Sequence, residues 1–411
     1  MNLIKIRNIF IYLSVIGFFF FPFYQTIVIS TAFFITFFTG EFKDYFSTLT
    51  KNKAAVVILI FFLIHLISML YTTNTSSGWR GLEVKLSYLA FPLFLPIIFN
   101  STRLNIYLLF KIMVVSGLIY CISSFMRAGL IYSETNNISD LLSSNLGFRI
   151  NQSNPFVHPT YVSLYFNFLI LLLSYNFIKK DLSSKIKILS LALIVLFILF
   201  ILFSSSKFGI LLVGINIIII LSYYAKVKRK IKQALIIFSV FSFISVLGIY
   251  NSPLKIRFQQ AYKEIFHGNK NANGYQMSTG TRIWTWKTTV EIIKENPVLG
   301  VGVGDIRTEL IKKYKEFGIT DKSRNKLDSH QQFLQTFATI GISGITCLLF
   351  LFFTLFRKAI KTKNVILFSF TLFYFLFGLT ESMLETQAGI VFFTFMSLLL
   401  FQYPKEKLIK S

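Results

Sequence analysis

The sequence predicts an all-α, polytopic integral membrane protein of about twelve transmembrane helices with a large helical extracytoplasmic loop. Three observations predict it. Of the 411 residues 54% are hydrophobic, 49 are Phe and mean hydropathy is +0.64, values that soluble domains do not reach. Apolar runs long enough to cross a bilayer, about 20 residues each, recur along most of the chain. One stretch, 251–328, interrupts them with mostly polar residues. The expected organisation is one membrane domain over 1–411, with 251–328 as an extracytoplasmic loop subdomain between the ninth and tenth spans.

Taken in order, the expected spans are 8–23, 24–40, 54–71, 86–99, 104–125 and 159–178, then 188–203, 208–223, 233–250, 329–356, 364–380 and 385–402. The start (Lys5, Arg7, then an apolar run) imitates a signal peptide. It lacks a small-x-small cleavage site and leads into a second apolar segment, so it reads as a retained span. Cys121 and Cys347 both lie in apolar runs without ligand-like spacing, which suggests neither a disulfide framework nor a zinc site.

Charge sets the orientation. With a cytoplasmic N-terminus the inside loops hold 22 Lys and Arg, against 5 in the short outside loops (Arg80, Lys85, Arg127, Arg149, Lys207). By the positive-inside rule both termini are cytoplasmic and the long segment faces outward. The net charge of +25 is thereby explained without a nucleic-acid partner. The long segment itself carries 14 Lys and Arg against 8 Asp and Glu, which reads first as a solvated surface and second as a platform for anionic headgroups of membrane lipids or a phosphate-bearing substrate.

Within that segment, Ile283, Trp286, Val290 and Ile293 recur at helical spacing until Asn296-Pro297 stops them. A second helix follows, with Asp305 as the expected N-cap, Ile306, Leu310, Tyr314 and Phe317 on one face, and Gly318 at its end. Between them, Gly300, Gly302 and Gly304 stand before a helix start. Such a loop can cradle phosphate, but it has neither a Walker ending nor a preceding Rossmann-type strand. A tight turn is the favoured reading, and no nucleotide or other cofactor is implied.

Several ionisable residues stand at the outer ends of spans. His330 opens the tenth, where an imidazole reaches both water and a lipid-borne substrate. Lys207 sits in SSSK, a hairpin too short to be a solvated domain, where a cation needs an anionic partner. His158 precedes Pro159 at another outer start, and Asp328, Glu381 and Glu385 lie at the same level. Arg282 opens the first loop helix and by itself is an ordinary solvated charge. No Cys, His or Asp set has metal-ligand spacing, and no Gly-x-Ser-x-Gly elbow occurs.

Four stretches carry a family likeness: HPTYVSLYF at His158, SSSKFGILL at Lys207, GTRIWTWKTTVEIIKENPVLGVGVGD at Arg282 and DSHQQFLQTFATIGISG at His330, with LTESMLETQAGIVFF late in the chain. The chain resembles the O-antigen ligase and O-antigen polymerase superfamily over residues 54 to 402. That resemblance implies a metal- and nucleotide-independent glycosyltransferase of the bacterial inner membrane, active at the periplasmic face. The implied donor is undecaprenyl-pyrophosphate-linked glycan, and the acceptor is lipid A–core (a ligase) or a growing glycan (a polymerase). It implies Lys207, Arg282 and His330 as catalytic residues, and His158, Asp328, Gln331 and Glu381 are expected to bind substrate. The family usually has arginine at position 207 and asparagine after the histidine. Here lysine keeps the charge but loses the bidentate fork, and Gln331 follows His330.

A transporter or flippase for the lipid-linked glycan is the rival from another class. It requires ionisable residues and broken helices at the bilayer midplane, whereas here mid-span positions are nearly all apolar and the charges sit at the rim.

Overall fold

The computed structural model describes residues 3–21, 24–39, 45–100, 104–135, 159–179, 182–204, 206–233, 279–317 and 328–403, with a few isolated positions between 235 and 262. Among them no strand occurs. The helices are α1 (Leu3–Phe20), α2 (Gln25–Phe37), α3 (Tyr45–Lys51), α4 (Lys53–Ile67), α5 (Thr75–Lys85), α6 (Ser87–Asn100) and α7 (Ile106–Thr135). Next come α8 (Pro159–Lys179), α9 (Ser184–Phe203), α10 (Lys207–Lys228), α11 (Thr279–Glu295) and α12 (Ile306–Glu316). The last three are α13 (Gln332–Lys361), α14 (Val365–Gly378) and α15 (Gln387–Gln402).

Eight described helices are long and apolar enough to cross a membrane, and α2, α14 and α15 are shorter apolar ones. The protein is an all-α, multi-pass membrane protein. Each expected span has an apolar helix at its place except 233–250, which lies almost wholly outside the described residues. The fourth is longer than expected, because α5 and α6 run on as one helical stretch over Thr75–Asn100, whose α5 part is polar.

The chain divides into two compact units. One comprises Met1–Ile11, Phe23–Leu104 and Phe258–Pro404, the other Tyr12–Pro22, Asn105–Arg257 and Lys405–Ser411. In the second unit, α8 packs on α10 through a glycine contact: a Cβ on Gly209 would lie 2.5 Å from Ser163 Cβ. Buried Asn167 donates to the carbonyls of Ser163 (2.9 Å) and Gly209 (3.1 Å), which satisfies its amide N–H groups inside the apolar packing. The Ser206 hydroxyl accepts from Gly209 N–H at 3.1 Å and caps α10, so Lys207 is that helix's first residue.

In the first unit the run expected as a single span at 329–356 is two helical arms. Backbone angles leave the helix at Ile340 and at Gly341, where φ is +64°. The rings of Phe333 and Phe352 lie 6.0 Å apart, although nineteen residues of continuous helix would separate them by about 28 Å. The chain therefore reverses at Gly341.

The glycine-rich turn between α11 and α12 closes both broken ends. Ala338 and Thr339 carbonyls, left without helical partners, accept from Val301 N–H (2.9 Å) and Gly302 N–H (2.8 Å). Ile342 N–H, opening the second arm, donates to the carbonyls of Pro297 (3.1 Å) and Val298 (3.2 Å). A Cβ on Gly341 would lie 2.0 Å from Val298 O, and one on Gly300 2.6 Å from Thr339 O. The glycines serve close backbone approach, in keeping with the turn reading.

Helices α11 and α12 form where expected but pack differently in detail. The most buried side of α11 carries Thr285, Thr288, Thr289 and Ile292. The three threonine hydroxyls bond back to the carbonyls of Arg282 (2.8 Å), Trp284 (2.8 Å) and Thr285 (2.6 Å), so their polar atoms are satisfied and they bury like apolar residues. Ile292, Ile306, Leu310 and Tyr314 then pack around Ala338 of the first arm. Asp305 precedes α12 without capping it. Its carboxylate instead accepts from Thr73 N–H (2.6 Å), the Thr73 hydroxyl (3.0 Å) and Asn74 N–H (2.8 Å).

Candidate active site

The turn 328–331, which feeds the first arm of α13, brings the candidate residues of the first unit together. Gln331 is the N-cap of α13, its side-chain oxygen accepting from Leu334 N–H at 2.5 Å. This accounts for a carboxamide at that position and commits its oxygen to the helix start. Gln331 N–H donates to the Ser382 hydroxyl at 3.1 Å. Asp328 accepts from His330 N–H at 2.9 Å, and Ser329 N–H donates to Gln335 at 3.0 Å.

These bonds hold His330 at φ +48°, a left-handed backbone that non-glycine residues seldom adopt. Strain of this kind persists where surrounding contacts over-determine it, and it concentrates at functional sites.

Glu381, just past α14, connects the turn to α11. Its Oε2 meets His330 Nδ1 at 3.2 Å and its Oε1 accepts from Arg282 Nη2. A carboxylate only accepts, so Nδ1 carries the proton in this contact. Nε2, which has no partner among the described residues, is left as the basic nitrogen. Asp328 Oδ1 lies 3.7 Å from the same Nδ1.

Burial pulls the His330 pKa down, but the hydrogen bond to Glu381 and the charges of Asp328 and Glu381 outweigh it. The net shift is upward from 6.5, with Arg282 opposing. Withdrawal from water pushes Asp328 up; the Glu381 and Glu385 charges add to this and His330 opposes it. The imidazole is therefore a strengthened base whose conjugate acid is stabilised by carboxylates.

A second carboxylate pins the other side of the same turn. Glu385 pairs with Lys85 Nζ at 2.5 Å and accepts from Gln332 Nε2 at 3.3 Å. Gln332 Oε1 accepts from Leu384 N–H at 2.7 Å. Lys85, an outside-loop residue by sequence, is only 3% exposed.

The structure thus joins Arg282, Asp328, His330, Gln331 and Glu381 in the first unit. Lys207 stands at the start of α10 in the second unit, and His158 lies outside the described residues. Sequence reasoning missed the joint hold of Glu381 on Arg282 and His330, and the Lys85–Glu385 pair. The signal available was LTESMLE, two carboxylates four residues apart beside a span.

Residues 191–349 match a family model described as O-antigen ligase. That stretch is similar to O-antigen ligases. No curated protein matches the chain. The O-antigen ligase match contains Lys207, Arg282, Asp328, His330 and Gln331, and stops short of Glu381. It supports a glycosyltransferase-type membrane enzyme of O-antigen biosynthesis, acting on lipid-linked glycan and an acceptor.

Proposed function

We propose that the protein transfers glycan from undecaprenyl pyrophosphate to lipid A–core at the periplasmic face of the inner membrane, as an O-antigen ligase. The observation that carries this reading is the single carboxylate of Glu381 holding both a guanidinium and an imidazole.

In the proposed step an acceptor hydroxyl oxygen attacks the sugar C1 as the C1–O bond to pyrophosphate breaks. The hydroxyl proton goes to His330 Nε2, and undecaprenyl pyrophosphate leaves with the bonding electrons. A positioned base typically contributes about 10²–10⁴-fold. Negative charge grows on the leaving oxygen, where fixed cations stabilise it most. Arg282 supplies one such cation: the guanidinium has five N–H donors, and Glu381 orients it. Lys207 is assigned as a further cation, and His158, Asp328 and Gln331 as lining the substrate site. The donor arrives activated, so neither metal nor nucleotide enters the scheme.

Site depth suits a lipid-borne donor. Helix α14 has 14 residues and α15 has 16, lengths of about 21 and 24 Å against a hydrocarbon core of about 30 Å. At the opposite end Asn52 bonds Gln402 at 3.4 Å, levelling α15 with the start of α4. On this reading Glu381 and Glu385 sit several ångströms beneath the outer edge of the hydrocarbon layer, within reach of a pyrophosphate at the headgroup level.

The test is the lipopolysaccharide profile of a deletion strain complemented with wild type or His330→Ala. Core-only lipopolysaccharide with accumulating polyprenyl-linked polymer is expected. A core bearing a single repeat would indicate the polymerase instead. Full complementation by well-expressed His330→Ala would overturn the assignment of the base and raise the transporter reading.

A further inference from the structure

We propose that the turn at 296–299 is an interfacial membrane anchor, with Val298 and Leu299 seated in the headgroup–acyl boundary at the end of the bundle that bears the α11–α12 cap.

The cap buries Ile292, Ile306 and Leu310 as a soluble domain does. Its tip does the opposite. Val298 is 65% and Leu299 57% exposed, in a turn where polar residues are the usual choice.

Two hydrogen-bond links fix the height of the tip. The Tyr71 hydroxyl donates to Leu299 O at 2.6 Å, and Tyr71 directly follows the membrane-length helical stretch Lys53–Leu70. Ile342 N–H bonds Pro297 and Val298 carbonyls at the head of the second arm of α13. The tip therefore lies level with the ends of two membrane helices. Those ends are themselves bare and apolar, with Leu70 86% and Ile342 52% exposed.

Exposed Leu and Ile at the end of a span meet lipid, and Val298 and Leu299 are hydrogen-bonded to those same helix ends. Tyrosine at this level is the usual interfacial residue. An apolar element lying in the interface buries about 5–10 Å into the headgroup–acyl boundary.

The test is site-directed spin labelling of the full chain in nanodiscs, with Cys121 and Cys347 replaced by alanine and a nitroxide on Leu299→Cys. Power saturation compares dissolved oxygen with a water-soluble nickel chelate. A nitroxide on Lys312→Cys, at an exposed position of α12, is the aqueous control. The oxygen effect should exceed the nickel effect severalfold at 299, and the order should reverse at 312. A nickel effect dominating at 299 would overturn the proposal, and so would a label shielded from both reagents, which would mean protein covers the turn. Val298→Cys gives the same reading should Leu299→Cys fold poorly.

Discussion

Glu381 Oε2 accepts a hydrogen bond from His330 Nδ1–H at 3.2 Å. The arrangement has the logic of a base oriented by a part-buried carboxylate: the tautomer is set, the ring is held and the imidazolium is stabilised. Glutamine at 381 keeps the shape but removes the charge. Glu381→Gln should lower the transfer rate by about 10²–10⁴-fold while leaving expression intact, measured as glycan transfer in membranes at matched protein levels.

The pH dependence should move in opposite directions with the two neighbours of His330. Its pKa is raised from 6.5, so the rising limb of the pH–rate profile should lie above that value in the wild type. Glu381→Gln removes the main raising partner and should shift the limb down. Arg282→Ala removes a lowering charge and should shift it up. A common direction for both variants would contradict the assignment of His330 as the base.

The same shift has a stability consequence. A group whose folded pKa is raised stabilises the fold fully below its unfolded value, here 6.5, and loses that contribution as pH rises through the folded pKa. The melting difference between wild type and His330→Ala in detergent should therefore be largest on the acid side.

The reversal at Gly341 should tolerate no side chain. Alanine would bring a Cβ to 2.0 Å from Val298 O at φ +64°. The backbone strain alone is worth about 1–3 kcal/mol, and the turn must shift as well. Gly341→Ala should lower the melting temperature and, by moving the first arm, reduce transfer.

The Lys85–Glu385 pair should be costly to break singly. With exposures of 3% and 15%, removal of one partner leaves a buried charge worth roughly 3–5 kcal/mol. Lys85→Met should therefore destabilise more than the double variant Lys85→Met/Glu385→Gln, in thermal melts of purified protein.

Much of this was legible in the sequence. Span positions follow from apolar composition alone, since any long apolar helix must find lipid or core. His330 stood out as an ionisable residue at the outer end of a span, whereas Arg282 stood out only through its stretch resembling a known family. The buried side of α11 was misread because threonines that bond their own helix bury like valines, which hydrophobic spacing does not register. Asp305 was misread because a capping residue and a cross-linking one have the same local sequence.

By itself the sequence determined the membrane class and the places of the helices. Tertiary structure alone decided that α13 reverses at Gly341, that three glycines serve that reversal, and that Glu381 joins Arg282 to His330. The reason is physical. Burial and helix formation are local and roughly additive along the chain, so composition reports them. A hydrogen bond between residues 51 or 99 positions apart depends on where two helices end in space, and no local pattern carries that information.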